Sequence, residues 1–230
     1  MKLTKYIFLL IAFCSAHQSV AQDKQMVIYR NGLSPLYIDI ADIDSITIAD
    51  RIGNVHEYTD LGLSVLWANT NLGAEKPEDY GYYFAWGETE TKQEFTVDNY
   101  RYADNDGYTK LPQNIAATEY DAAAILWKGN WRMPTIEEIE ELTKKCTWTW
   151  TSINNINGYR IVGPSGKDIF LPAAGQWRNE PINVGATGYY WSASISDEYS
   201  TAAYNLNFTG FTGRWSANRA YGFSIRPVCR

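Results

Sequence analysis

The spacing of apolar positions along the chain changes from a period of two to a helical period and back. In residues 25–50 apolar residues recur at every second position, and Asn31-Gly32 is a dipeptide typical of tight hairpin turns. This pattern predicts a small unit of two or three strands. The alternation in residues 58–69 predicts a strand pair, and residues 80–88 predict another strand.

The middle of the chain predicts two helices. Between Tyr120 and Trp127 the apolar residues fall at i, i+3, i+4 and i+7, and Gly129 ends this first helix. The second helix begins after Pro134, with Thr135 as N-cap and Glu138 completing a capping box.

The charges of the second helix follow the helix dipole. Four glutamates lie in its first half and two lysines at its end, so the glutamates have a sufficient structural explanation.

Residues 89–118 are polar and predict a long loop, and residues 147–230 are rich in strands and turns. Strands, two helices and then strands predict an α+β domain rather than alternating βαβ units.

The N-terminus has the features of a cleaved secretory signal peptide over residues 1–21. Lys2 and Lys5 precede an apolar run too short to span a bilayer, and small residues precede the cleavage point after Ala21. Acylation at Cys14 is disfavoured because Phe13 stands before it. We expect export to the periplasm, the outer cell surface or the medium, with a β module at 22–50, a linker at 51–56 and a main domain at 57–230. No other apolar run is long enough for a transmembrane segment.

Charge and motifs exclude several classes of function. The formal net charge of the chain is −6, and loss of two lysines with the signal makes it −8, so no nucleic-acid partner is expected. His56 is the one histidine outside the signal, and no hydrolase or nucleotide motif is present. We therefore assign no catalytic residue and no cofactor.

Calcium is the one metal for which the sequence offers a candidate site. Asp104 and Asp106 lie in an Asp-Asn-Asp-Gly turn that offers closely spaced oxygens, but no glutamate follows at the spacing of a calcium loop. We interpret the turn as solvated and assign no metal site.

Aromatic residues flanked by amides and arginines recur in the C-terminal half. Such clusters suit sugars, whose C–H faces pack on aromatic rings while their hydroxyls bind polar side chains. Trp191, inside an apolar strand, is predicted to be core. For the two loop-like clusters, ligand contact and ordinary loop packing are equally favoured. The candidate ligand-binding residues are Trp177, Arg178, Asn179, Arg214, Trp215 and Asn218.

Two cysteines, Cys146 and Cys229, lie outside the signal. In an exported protein an even pair is more often a disulfide than a pair of catalytic thiols, so we expect them to be bridged.

Several segments resemble the Fibrobacter succinogenes major paralogous domain, which is abundant in exported proteins of Bacteroidetes. The resemblance covers about residue 57 to the C-terminus and rests on "YTDLGLSVLWANTNLGAEKPEDYGYYFAWGET", "DAAAILWKGNWRMPTIEEIEEL", "CTWTW", "IFLPAAG", "GYYWSAS" and "YGFSIRPV". Residues 26–48 resemble a short β module that often precedes this domain. The helix–loop–helix run is also similar to that of the formylglycine-generating enzymes and the C-type-lectin-like fold. The residues that carry this scaffold are Trp127, Trp131, Arg132, Pro134, Thr135, Glu138, Trp191 and Arg226.

The resemblance implies a C-type-lectin-like domain, in which a cysteine at a helix end is bridged to the last strand. The resemblance does not imply that this chain has the activities of the formylglycine-generating enzymes or of the C-type lectins. The formylglycine-generating enzymes use a cysteine pair near the C-terminus, where this chain has only Cys229. The calcium and sugar motifs of C-type lectins are reduced to "EPIN", residues 180–183, which is out of pattern.

The resulting hypothesis is an exported, non-catalytic binding or adhesion module. Its loops around residues 89–118, 175–187 and 209–219 would contact a glycan or a protein. Two alternatives remain open, a structural or surface-appendage assembly component and a diverged enzyme of the formylglycine-generating type. Fold analogy alone does not decide between these functions.

Overall fold

The computed structural model describes the backbone of residues 25–30, 33–39, 56–104, 107–208 and 212–230. The chain divides into two compact units, Met1–Ile52 and Gly53–Arg230. In the first unit, β1 (Gln25–Arg30) pairs antiparallel with β2 (Leu33–Asp39), and Val27 lies opposite Tyr37. This pair confirms the predicted hairpin, whereas the turn at 31–32 and the expected third strand before residue 50 lie outside the described residues.

In its described residues, the second unit combines two α-helices and one short 3₁₀ helix (Val97–Asn99) with many short strands. The α-helices are α1 (Ala122–Trp127) and α2 (Ile136–Lys145). Its strand ladders are all antiparallel, so the predicted α+β class is confirmed. The strands are β3 (Tyr58–Thr59), β4 (Leu66–Ala68), β5 (Ala103–Asp104), β6 (Gly107–Tyr108), β7 (Thr147–Ile153), β8 (Ile156–Val162), β9 (Asp168–Pro172), β10 (Gln176–Trp177), β11 (Pro181–Ile182), β12 (Gly188–Ile195), β13 (Ala202–Phe208), β14 (Thr212–Asn218) and β15 (Val228–Cys229).

Both helices begin at side-chain caps. Asp121 caps α1 by accepting hydrogen bonds from two backbone N–H groups of its first turn. At α2, the Thr135 hydroxyl accepts from the backbone N–H of Glu138, and the Glu138 carboxylate accepts from that of Thr135. The predicted capping box is therefore confirmed.

A three-stranded sheet, β12–β13–β14, separates the two largest hydrophobic clusters. On one face, Trp191 and Ala203 pack with α1 and with Phe223. On the other face, Tyr204 and Leu206 pack with α2 and with the sheet β7–β8–β9. Trp191 has no exposed surface, so its predicted place in the core is confirmed.

The strand expected at residues 80–88 is not formed. This segment makes only an isolated bridge between Phe84 and Phe223. Gly81 and Gly87 have φ angles of +71° and +84°, which interrupt the extended conformation on both sides of the bridge. The strand pair expected at residues 58–69 does form, but only as the short β3 and β4.

The last residues of the chain return to the start of the domain. β15 pairs with β4, and the Arg226 guanidinium, which is 1% exposed, donates to the carbonyls of Ala68 and Phe170 and to the Asn71 side chain. Burial lowers the pKa of Arg226 to about 10, so the side chain remains charged at neutral pH. This arginine therefore fixes the closing segment.

The expected disulfide between Cys146 and Cys229 is wrong, because both cysteines are free thiols. Val228, next to Cys229, pairs with Arg132 just before α2, whereas Cys146 follows the last residue of α2. A helix of ten residues is about 15 Å long, and a disulfide requires Cα atoms less than about 7 Å apart. The two thiols therefore lie near opposite ends of the helix.

Candidate functional site

Two adjoining depressions, with volumes of about 700 and 720 Å³, lie beside the helices. The first is at the N-terminal end of α2, and the second lies between α1 and the segment that leads to α2. We call them together the α2 depression. Arg132 lines both, and its guanidinium donates to both Glu138 oxygens at 2.8 and 2.5 Å. Glu138 also receives the Thr135 backbone N–H at 2.9 Å. These charged groups are therefore already occupied by one another.

Asp121 lies behind this depression and is fully buried. Its Oδ1 accepts from the backbone N–H groups of Ala123 and Ala124, and its Oδ2 from those of Ala117 and Met133, at 2.8 to 3.1 Å. One carboxylate thus joins the start of α1 to the segment before α2. Its hydrogen bonds leave it no role toward a ligand.

Glu141 is a third carboxylate of the depression with a full set of partners. It accepts from the Lys145 ammonium at 2.8 Å and from the Ser64 backbone N–H at 3.0 Å and hydroxyl at 2.5 Å. Partial burial would raise the pKa of Glu141, but these hydrogen bonds outweigh burial and lower it to about 2. The carboxylates of Asp121, Glu138 and Glu141 at the α2 depression are therefore saturated with hydrogen bonds.

A different situation holds on one face of the sheet β12–β13–β14. Trp191, Asn205 and Trp215 lie side by side across the three strands, and Tyr189, Asn207 and Gly213 form the next row. Because successive side chains of a strand point to opposite faces, these residues share one face. We call the part of it formed by Tyr189, Asn205, Asn207, Gly213 and Trp215 the asparagine face.

The two asparagines are buried without hydrogen-bond partners. Asn205 is 1% exposed and Asn207 8% exposed. Both side-chain polar atoms of Asn205 and the Oδ1 of Asn207 have no partner among the described residues. A buried polar group without a hydrogen bond costs about 1–3 kcal/mol, so such groups in a folded protein require an explanation.

The outer strand of the asparagine face leaves room for a ligand. Gly213 lies opposite Asn207 on β14, and none of the described residues has an atom within 4 Å of the position that a Cβ at Gly213 would take. Trp215, two residues along the same strand, is 49% exposed. β14 pairs only with β13 among the described strands, so its outer edge is open. An aromatic ring, buried amides and free space therefore lie next to one another.

The first cluster of predicted ligand-binding residues is only partly free. Trp177 lies on β10, where its indole N–H donates to the Gln93 carbonyl at 2.8 Å and its ring packs on Tyr83. Arg178 is exposed and stacks on Tyr221, with its Cζ 4.1 Å from the ring centroid. Asn179 is exposed. Trp177 thus has a packing role, whereas Arg178 remains available.

The second cluster lies on β14 and not in a loop. The Arg214 guanidinium donates to Glu140 of α2 at 3.2 Å and to the Tyr204 hydroxyl at 3.0 Å, on the face opposite to Trp215. The Asn218 side chain accepts from the Tyr108 hydroxyl at 2.6 Å. Only Trp215 of this cluster therefore projects toward solvent on the asparagine face.

The side chains of the calcium candidates, Asp104 and Asp106, lie outside the described residues. Among the described residues, no three His, Cys, Asp or Glu side chains are grouped in a way that could hold a metal ion.

None of the helices in the described part of the chain is long and apolar enough to cross a membrane.

Asn205 and Asn207 were missed by sequence reasoning. The available signal is the segment "AAYNLNF", in which two asparagines at i and i+2 interrupt a strand that is otherwise apolar. That spacing places both amides on the same face of a strand. The pattern does not reveal that they lack partners, because this depends on the neighbouring strands.

Comparison of the chain with protein-family models, curated proteins and solved structures gives no match. The assignment of a function therefore rests on the geometry of the domain itself.

Proposed function

We propose that the chain is an exported, non-catalytic binding module with a C-type-lectin-like domain, and that it binds a glycan on the asparagine face. The observation that carries the proposal is the pair of buried, unpartnered amides at Asn205 and Asn207 beside the half-exposed Trp215. The N-terminal signal pattern supports export, and the connectivity of the helices and closing strand supports the fold.

A sugar suits the chemistry of this face. An asparagine amide offers both donors and an acceptor, which complement hydroxyl groups that also donate and accept. An exposed indole ring offers a flat apolar surface for the C–H face of a pyranose. A ligand of this kind would remove the cost of the unpaired amides, and that gain would contribute to affinity.

Access to both polar atoms of Asn205 and to the Oδ1 of Asn207 requires a small local movement, because these three atoms are covered in the free protein. Trp215 lies opposite Asn205 on the outermost strand and has half its surface free. Exposed side chains change rotamer on the picosecond to nanosecond scale, so displacement of this ring does not require the sheet to open.

The test is a glycan-array screen with the purified protein, followed by calorimetric titration of the retained glycans. Trp215→Ala should raise the Kd at least about tenfold, as expected for loss of a central aromatic contact. Gly213→Val should also weaken binding, since its side chain would enter the space beside Asn207.

The matched control is Trp150→Ala. Trp150 lies on β7, is 43% exposed and packs on Tyr159, so the variant removes a comparable ring from a different sheet. Its Kd should equal that of the unaltered protein. The proposal fails if the array retains no glycan, or if Trp215→Ala binds as tightly as Trp150→Ala while both remain folded by circular dichroism.

A further inference from the structure

Beyond the asparagine face, two partly exposed tyrosines pack on the buried Phe223, and one of them contacts an arginine that forms no ion pair with the described residues. Tyr189 lies opposite Asn207, and its ring centroid is 5.0 Å from that of Phe223. Phe223 in turn lies 6.5 Å from the ring of Tyr221, on which the Arg178 guanidinium stacks. Tyr189 and Tyr221 are both partly exposed. Phe223 itself has no exposed surface, so Tyr189 and Tyr221 pack on one buried ring and their exposed parts lie near one another.

Arg178 differs from most arginines of the domain in having no acceptor. Arg132, Arg160, Arg214 and Arg230 form ion pairs with carboxylates. Arg219 and Arg226 are buried and donate to backbone carbonyls. No hydrogen bond or ion pair of the Arg178 guanidinium is formed with the described residues, and the neighbouring Glu180 is exposed without an ion pair to it.

The exposed Arg178 guanidinium, which forms no ion pair with the described residues, suits an anionic group. Arg178 has no carboxylate partner among the described residues, and, unlike Arg101, its guanidinium is held against an aromatic ring. Stacking on Tyr221 holds one flat side of the guanidinium, while the N–H groups at its edge stay free. A planar guanidinium binds a carboxylate through two parallel hydrogen bonds, and it also binds sulfate and phosphate groups.

We propose that the glycan bound at the asparagine face is acidic, with an anionic substituent held by Arg178. This inference rests on the proposed glycan-binding function. The neutral part of the ligand would lie over Trp215 and the two asparagines, and its charged unit would lie over Tyr221. Arg178 would thus select among glycans that the asparagine face alone binds equally well.

The experiment compares glycans that differ only in charge. The probes are uronate oligosaccharides, their carboxyl-reduced neutral counterparts, and sulfated oligosaccharides, each titrated against the unaltered protein and two variants. Arg178→Gln removes the proposed contact. Arg101→Gln is the matched control, because Arg101 is also exposed and its guanidinium makes no ion pair with the described residues.

We expect at least one uronate oligosaccharide to bind about tenfold more tightly than its neutral counterpart at low salt. Arg178→Gln should abolish this preference without changing the Kd of the neutral sugar, and Arg101→Gln should retain it. The preference should decrease as salt is added, since exposed charges are screened. A preference for sulfated over uronate sugars, lost in Arg178→Gln, would support the anion site and identify sulfate as its ligand.

Two results would overturn the inference and leave glycan binding intact. One is equal affinity for acidic and neutral sugars, and the other is a preference for acidic sugars that survives in Arg178→Gln. If no glycan binds the unaltered protein, the proposed function fails, and the inference fails with it.

Discussion

The α2 depression and the asparagine face are both rich in polar side chains, but they differ in how those side chains are paired. At α2, the carboxylates of Asp121, Glu138 and Glu141 each accept several hydrogen bonds. On β13, the amide of Asn205 accepts and donates none among the described residues. A saturated network stabilises a scaffold, whereas buried groups without partners cost free energy, and pairing with a ligand would offset that cost.

This comparison predicts opposite effects of substitution on stability. Asp121→Asn should give the largest change, a loss of about 3 kcal/mol in the free energy of unfolding. The new amide N–H₂ would face two of the backbone N–H groups that the carboxylate now accepts, and these donors would be left buried and unpaired. Urea denaturation measures the loss. A midpoint within 0.3 M of the unaltered protein, on the order of 0.5 kcal/mol, would contradict the scaffold role.

Asn205→Leu should act in the other direction and raise the free energy of unfolding by about 1 kcal/mol. The substitution keeps four side-chain heavy atoms branched at Cγ and removes the cost of a buried amide without a partner. The same variant should lose glycan binding. A destabilised Asn205→Leu protein would show that the amide has a partner in the folded state, and the distinction between the two regions would then be lost.

The paired state of Glu141 predicts a smaller, pH-dependent effect. Because its pKa in the folded protein is about 2, below the ordinary value of 4.5, its contribution to stability is complete above that ordinary value. The contribution is lost as the pH falls from about 4.5 to about 2. For an exposed ion pair the change amounts to no more than about 1 kcal/mol. Thermal melts of Glu141→Gln and of the unaltered protein should differ at pH 6 and converge only as the pH approaches about 2.

Gly213→Val should have the smallest effect on stability, within about 0.5 kcal/mol of the unaltered protein. A β-branched residue suits an edge strand, and the described residues leave its Cβ free of contacts. This variant therefore tests glycan binding with little change in the stability of the fold. A melting temperature lowered by more than about 5 °C would mean that the space at Gly213 is filled in the folded protein.

The sequence could predict those features that depend on neighbours within a few residues. The capping box of α2 needs only Thr135 and Glu138, three positions apart, and the hairpin of β1 and β2 needs only a turn signal between two alternating runs. The strand predicted at residues 80–88 failed because two glycines with positive φ outweigh the apolar alternation between them.

Features that depend on which strands pair with one another could not be predicted from the sequence. The pairing of Cys146 with Cys229 was expected from their number and compartment, but α2 separates them. Trp215 was predicted as a candidate ligand contact in a loop and is found on an edge strand, beside asparagines that sequence reasoning passed over. Their lack of partners is a property of three strands together, and no single segment encodes it.

The exposure of Trp215 also gives the domain an optical signal for its own binding event. Among the nine tryptophans, only Trp150 and Trp215 are classed as exposed, and the others are buried or half-buried. A pyranose packed on Trp215 would exclude water from one face of its indole and shift its fluorescence to shorter wavelength. With Trp150 replaced by phenylalanine, the remaining red-edge emission would come mainly from Trp215, so unlabelled glycans could be titrated directly.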